Sequence, residues 1–540
     1  MSRLYNGLEI PDSWPPRTEE TTLDQPLKAP YLNHVPEVVD ITTGRQLFVD
    51  DFLIEETSLS RTFHRPVFDD SPVFEPKTNI ELNDGYCPCA CPFSDGVFYD
   101  DKDGYFKMWY SAGFMDGVRY AQSKDGRNWT RLEDLTDDAV LKEGSVIPHR
   151  RGFMRDGASV WIDNDAKDSS ERFKMSVFYR EFPHDIRYYP QKPKHSHDDP
   201  NSVRPKESLR LFKSGDGIHW DEVCCSGYGG DNTTFFYNPF RKKWVFSLRT
   251  FSKLDSRVRV RGYYETSDFF KGSNWTPNDV VFWNRTDIFD KPDPEMGYYT
   301  QLYNLDASPY ESLMLGAFSI FMGPPNNIAG KTGLPKINDV KIAFSRDGFH
   351  WDRPTHDNFI ESSRIKGQWD YGYVHPANGI CQIVGDELWF FTSFFSGKSP
   401  RFGYHKYAGG SVGLGRMRRD GFASLDGQGF VLTRRMKYKG DCLFANVNGA
   451  VRVEVLDESG HVVPGYSMND CRPFSGDKTK TMITWKDNDR LPNLEEIKLR
   501  FKLDGGSIYS FWIADDVEGH SRGFMAGGSP DTVNGVDAAD

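Results

Sequence analysis

Nowhere among the 540 residues does an apolar run reach the about 18 residues that a membrane-spanning helix needs. The opening Met1-Ser2-Arg3-Leu4-Tyr5-Asn6-Gly7 has no apolar signal core, so the expected location is cytoplasmic, or secreted or periplasmic if a leader was removed. Positive charge is also short: 66 Lys and Arg face 78 Asp and Glu, a net charge of −12. Nucleic acid and anionic membrane are excluded as main partners, because either needs a basic footprint. Cysteines number only eight, and in a long chain without a leader free thiols are expected. Cys87, Cys89 and Cys91 fall on one face of a strand, a ridge that cannot wrap a tetrahedral metal, so no metal is expected there. Composition disfavours long helices. The 40 Phe, 25 Tyr, 13 Trp, 49 Gly and 32 Pro favour strands and turns.

What is present is a repeat. Ser-x-Asp-Gly-x-x-Trp occurs at 123–129, 214–220 and 345–351, with degenerate copies at Ser267-Asp268-Phe269 and Arg419-Asp420-Gly421-Phe422. Asp-Gly supplies the positive φ of a tight hairpin turn, and the Trp covers it. A strand precedes each full copy, and another strongly β segment lies upstream: Phe106 to Tyr110, Phe173 to Tyr179, Trp244 to Leu248, Leu313 to Phe318 and Leu388 to Phe394. Four antiparallel strands repeated radially make a propeller blade. The expected fold is all-β: a five-bladed β-propeller over residues 45–425 followed by a C-terminal β-sandwich over 426–515. Residues 1–44 are expected to wrap the surface, and 516–540 to form a mobile tail. Two long loops, 182–206 (with His184, His195 and His197) and 323–338, are expected to be functional.

The first strand of each blade lines the central funnel, so aligned blades show which residues meet at its mouth. Setting Asp163 against Asn238 puts Asp156 level with Asp231. The same register holds Gln301 in blade four, with Glu295 just upstream, and His375 in blade five. In blade one it holds Phe93, flanked by Asp95 and preceded by Glu81 and Asp84. Carboxylates crowded at one pole suit glycosidic cleavage, which takes one acid to protonate the leaving oxygen and one ionised partner. Asp156, Asp231, Glu295 and Asp84 are the catalytic candidates. Arg155, Arg249, His375, Gln301, Trp109, Trp369 and Asp370 are the candidates for holding sugar, the rings by stacking and the polar groups by hydrogen bonds or anion pairing. Arg180, Tyr86, Tyr298, Tyr299 and Tyr371 are placed to reach the same mouth.

Arg155-Asp156-Gly157 resembles the Arg-Asp-Pro motif of the invertase and levanase group of five-bladed propeller glycoside hydrolases, with Gly157 in place of proline. Asn83-Asp84-Gly85 is a partial echo of that group's blade-one nucleophile motif, whose full form is absent. The arabinanase group is similar in the same way, and Arg45 to Ile54 resembles the opening segment of bacterial members. The resemblance implies hydrolysis of a terminal glycosidic bond, on a furanoside or a plant or algal oligosaccharide, with no required cofactor. A structural Ca²⁺ on the axis, the sugar, the linkage and the oligomeric state stay open. So do two rivals: a carbohydrate-binding propeller without catalysis, and a sialidase-like enzyme.

Overall fold

The structure is a computed structural model, and it describes residues 2–20, 25–138, 141–182 and 205–538. Five sheets repeat in chain order as the blades of a propeller. Blade one runs Ala90–Asp100, Tyr105–Ala112, Asp116–Ser123 and Trp129–Arg131. Blade two runs Phe153–Ile162, Phe173–Glu181, Lys206–Ser214 and Asp221–Cys225. Blade three runs Thr234–Asn238, Lys243–Phe251, Arg259–Thr266 and Val281–Asn284. Blade four has Gln301–Glu311, Leu313–Gly323 and Ile337–Ser345, edged by bridges to Asp352 and Ile360. Blade five has Gly372–Pro376, Glu387–Phe395 and Gly410–Arg418, and its outer strand, Val67–Phe68, comes from before blade one. This pairing ties the two ends of the ring together. No helix among the described residues is long and apolar enough to cross a membrane.

The Asp-Gly turns form as expected, and the structure shows why each needs its residues. In blade two, Asp216 Oδ1 accepts the N–H groups of Ile218 at 2.8 Å and His219 at 2.9 Å, while Ser214 Oγ accepts that of Gly217. Trp220 Nε1 closes the turn onto the Gly217 carbonyl at 2.9 Å. Gly217 has φ +81°, and a Cβ there would lie 2.7 Å from the Trp109 ring of blade one. Gly126 meets Trp389 of blade five in the same way, at 2.8 Å. The turns are therefore the seams between blades as well as hairpins.

Three boundaries differ from expectation. Residues 46–63 do not open the propeller. Gln46–Leu47 pairs with Glu496–Ala514, and Ile54–Thr57 and Ser60–Phe63 pair with Ala423–Thr433. They complete a nine-stranded C-terminal sheet whose long members, Cys442–Leu456 and Glu496–Ala514, pair along most of their length. Within the expected surface wrap, Val39–Asp40 joins this sheet too. The last residues are packed rather than loose. Phe524–Met525 pairs with the end of Gln301–Glu311, and the carbonyls of Gly527 and Gly528 accept the N–H groups of Tyr99 and Ile383. Inner-strand ends carry backbone groups that need partners, and the tail supplies them.

A buried ionic network joins sheet to propeller. Arg45 bonds Asp420 at 3.0 Å and lies beside Glu311, which also takes Arg419 at 3.2 Å. Asp50 is clamped by Arg346 through two hydrogen bonds of 3.0 Å.

The turn chemistry is testable in blade four, where Asp347 is 6% exposed and accepts from Phe349 N and His350 N at 2.9 and 2.8 Å. Asp347→Ala should lower stability by about 1–3 kcal/mol, since it strands buried donors. Urea unfolding that gives the wild-type free energy would refute the assignment.

Candidate active site

At the mouth where the inner strands begin, their ladders break at one level. Register shifts lie between Cys91 and Gly96, Arg155 and Ala158, Leu302 and Asn304, and Gly372 and His375. Blade three has its equivalent just before its inner strand, at Asn232 with φ +55°. A bulge leaves a residue unpaired and re-aims its side chain, which is why bulges gather at functional sites. Here the residues in or beside the bulges are Phe93, Asp156, Asp231, Tyr303 and Tyr373.

Asp156 and Asp231 are brought together as the register predicts, by one guanidinium. Arg180, from the second strand of blade two, ion-pairs with Asp156 through Nη1 and with Asp231 through Nη2, the latter at 2.9 Å. Its Nε bonds Glu207 at 3.2 Å, and Arg249 Nε reaches the other Asp231 oxygen at 2.5 Å. Burial raises the Asp231 pKa, but Arg249 and Arg180, with Arg259 and Lys336 beyond, outweigh it and hold the carboxyl below its ordinary range. Glu207, which also accepts from Tyr228 Oη at 3.0 Å, was not foreseen.

Beside these carboxylates lies a phenol cluster. Lys336 Nζ donates to Tyr303 Oη at 2.8 Å and lies 3.4 Å from Tyr373 Oη, and the two phenol oxygens are 2.9 Å apart. Burial raises Tyr303, yet Lys336 and Arg259 pull it net below the ordinary tyrosine value. Tyr373 is pushed well up, by burial and then by Tyr303. Gln301 Oε1 accepts from Arg259 at 2.9 Å. His375 stacks on Phe93 at 3.9 Å and bonds Asn338 at 3.2 Å through Nε2, and burial, helped by Lys336, keeps it neutral. The loop expected to be functional at 323–338 thus delivers Lys336 and Asn338. The other expected loop, with His184, His195 and His197, lies outside the described residues between 183 and 204.

Several candidates fall elsewhere. Asp84 is 80% exposed and pairs with Arg401, because its turn faces solvent. Glu295 is exposed in the turn after Asp293, whose carboxylate accepts its backbone N–H, and no ion pair joins it to Arg180. Trp109 is wholly buried in the seam between blades one and two, with Nε1 on the Gly217 carbonyl at 2.8 Å. Trp369 packs on Phe394 and bonds the Asp70 carbonyl, at the outer edge of blade five, and no contact joins the neighbouring Asp370 to the cluster. Arg155 lies beneath the mouth, 3% exposed and ion-paired with Asp95. Glu81 is buried under Tyr110 and Arg131 as a helix capping residue. Arg249, His375 and Gln301 are at the mouth. Tyr303 and Tyr373 were missed: each lies two residues from a register position, but in a bulge, where strand period two no longer says which way a side chain faces.

A cleft of about 570 Å³ between residues 26–33 and 352–356 shares no residue with this mouth. Asp287, Asp290 and His356 have ligand atoms within 4.8 Å of one another. Arg353 at 2.8 Å and Lys341 at 3.1 Å from Asp290 already supply the positive charge a metal would bring there.

No family model matches this chain, and no curated protein matches it. Among solved structures it is similar to an N-acetylgalactosamine deacetylase from F. plautii, 12% identical, with TM-score 0.44, over 67% of this chain and 96% of that one. It is similar to the GH32 beta-fructofuranosidase of Bombyx mori, 10% identical, with TM-score 0.33, over 82% and 94%. It is also similar to an alpha-L-arabinofuranosidase from Lactobacillus brevis, 10% identical, with TM-score 0.38, over 62% and 93%. The five blades rest on the strand pairing itself, and these likenesses say nothing finer.

Deeper on the axis, burial pushes Asp306 up to about 7 against hydrogen bonds from Thr234 and Asn304 and the charge of Arg261. A folded pKa above the unfolded value of about 3.9 means the native state binds the extra proton between the two. Stability therefore falls as pH rises through that window, by up to about 1.4 kcal/mol per unit for this group. Asp306→Asn should flatten the fall between pH 4 and 7 in urea titrations. Parallel curves for the two proteins would refute it.

Proposed function

We propose that this protein is a glycoside hydrolase acting at the mouth of the propeller on a terminal sugar. The observation that carries the reading is the convergence of Asp156, Asp231 and Glu207 on the single guanidinium of Arg180. Glycosidic cleavage needs a carboxylate that stays ionised beside a group that delivers a proton. Asp231, held ionised by two arginines, fits the first role, as base or as nucleophile. Glu207, tied to only one arm of Arg180, takes the proton-donor role, in place of the sequence candidate Glu295. Asp156 sets the position and charge of Arg180 and so acts through it. Gln301, His375 and the aromatic rings of the mouth supply hydroxyl partners and stacking faces. The reaction as read here takes no cofactor.

One observation favours the sialidase-like rival. Those enzymes use a tyrosine nucleophile, and Tyr303 is a phenol of lowered pKa beside Arg259 and within a site that also holds Arg180 and Arg249.

The test is a panel of aryl glycosides and oligosaccharides read by released sugar. Asp231→Asn and Glu207→Gln should lose about 10³-fold or more in kcat/KM, the scale expected for loss of an acid or base. Asp84→Asn and Glu295→Gln should keep wild-type rates. Melting curves run in parallel check that each variant is folded. Full activity in both Asp231→Asn and Glu207→Gln defeats the carboxylate reading, and loss confined to Tyr303→Phe turns it to the rival.

A further inference from the structure

The proposed site carries the opposite charge to the molecule. The chain has net charge −12, but its mouth holds Arg180, Arg249, Arg259, Lys336 and Lys406 against Asp156, Asp231 and Glu207. The carboxylates are taken: Asp156 by Arg180, Asp231 by Arg180 and Arg249, Glu207 by Arg180. Lys336, Arg259 and Lys406 are left over. Lys336 is 3% exposed, and among the described residues its ammonium bonds only to two phenols. Arg259 has the neutral Gln301 amide and the Tyr303 ring, centred 5.3 Å away. Lys406 lies 4.8 Å from the centre of the Tyr407 ring. Lys336 also helps push Lys406 down to about 8, after burial, as like charges do when no anion separates them.

An ammonium taken out of water without a carboxylate is costly, and buried charges in proteins are paired or bind a counter-ion. The same cluster leaves three wholly buried polar atoms without a hydrogen bond: His375 Nδ1, Gln301 Nε2 and Asn338 Oδ1. Buried polar atoms are otherwise nearly always satisfied. The missing partner is thus anionic and also offers neutral polar atoms.

We propose that Arg259, Lys336 and Lys406, with Tyr303, Gln301, Asn338 and His375, form a subsite for an anionic substituent on the sugar, a carboxylate or a sulfate ester. The substrate class is then an acidic saccharide. This rests on the mouth being the sugar site, and it extends the hydrolase reading by naming what the sugar carries. The guanidinium of Arg259 suits the planar oxygens of either anion, and Lys336 acts as a point charge. Tyr303 answers to the same charge: an anion that draws Lys336 away returns the phenol toward its ordinary pKa.

The experiment is calorimetric titration of the whole protein, without turnover, with three charged probes, glucuronic acid, galacturonic acid and glucose 6-sulfate, and with neutral glucose and galactose as references. At low salt at least one charged probe should bind ten-fold or more tightly than its neutral counterpart. The preference should shrink as salt rises, because exposed charge is screened. Arg259→Gln should erase at least ten-fold of the preference. Lys336→Met should do the same where it folds, but Arg259 lies on the partly exposed rim, so its variant suffices if Lys336→Met does not fold. A uronate preference identifies the carboxylate, and a sulfate preference the ester. Equal binding of charged and neutral probes, no binding of any charged probe in millimolar excess, or a preference untouched by Arg259→Gln overturns the proposal. A protein that binds the acidic sugar but releases nothing from any glycoside keeps the subsite and defeats the hydrolase reading. One that cleaves neutral glycosides without charge preference does the reverse.

Discussion

The site rests on one backbone constraint: the inner-strand ladders of four blades break at the same mouth, and the fifth strand is preceded there by a left-handed residue. The shifts at 91–96, 155–158, 302–304 and 372–375, with the left-handed Asn232, form a ring of irregular backbone. A bulged residue is released from its pair and can turn its side chain toward the axis. Asp156, Tyr303 and Tyr373 occupy such positions, and Asp231 is next to one. The polar cluster at the mouth therefore depends on this ring of irregular backbone.

Around that ring, charge is arranged in two halves. Blades two and three contribute three acids, Asp156, Asp231 and Glu207, paired with Arg180 and Arg249 in one compact set. Blades four and five contribute phenols, a neutral histidine and amides, with Lys336 and Arg259 over them. The two halves feel each other, since Lys336 and Arg259 help hold Asp231 ionised while Asp231 opposes the lowering of Tyr303. A change of charge at either half moves the proton affinities of the other.

The remainder of the molecule keeps this mouth rigid. Two of the Asp-Gly turns press on an aromatic of the blade before, Gly217 on Trp109 and Gly126 on Trp389, and the third, at Gly348, presses on Asn238 of blade three. Val67–Phe68 fastens the last blade from the beginning of the chain. At the far pole the tail fills the ends of the inner strands, and the Arg45, Glu311, Arg419 and Asp420 network anchors the C-terminal sheet. Trp109 serves such a seam, and Trp369 packs on Phe394 at the outer edge of blade five, so neither stands at the mouth.

Much of this was legible in the residues. The Ser-x-Asp-Gly-x-x-Trp repeat determined the hairpins and the blade count, and the first turn of each blade, Asp163 against Asn238, the register that aligns Asp156 with Asp231, because each depends on chain-local chemistry. The register also placed Gln301 and His375 correctly, since strand periodicity is local too. Other facts were decided only in three dimensions. Residues 46–63 could join the C-terminal sheet only by a pairing that spans hundreds of residues. Glu207 and Arg259 come from the third strands of blades two and three and Lys336 from a loop, and no spacing along the chain ties them to the inner register. Glu295 lost its place because upstream proximity in sequence does not fix which way a turn faces. Local order is encoded in local residues, whereas the charge balance of the mouth is a sum over distant segments that meet only when the ring has closed.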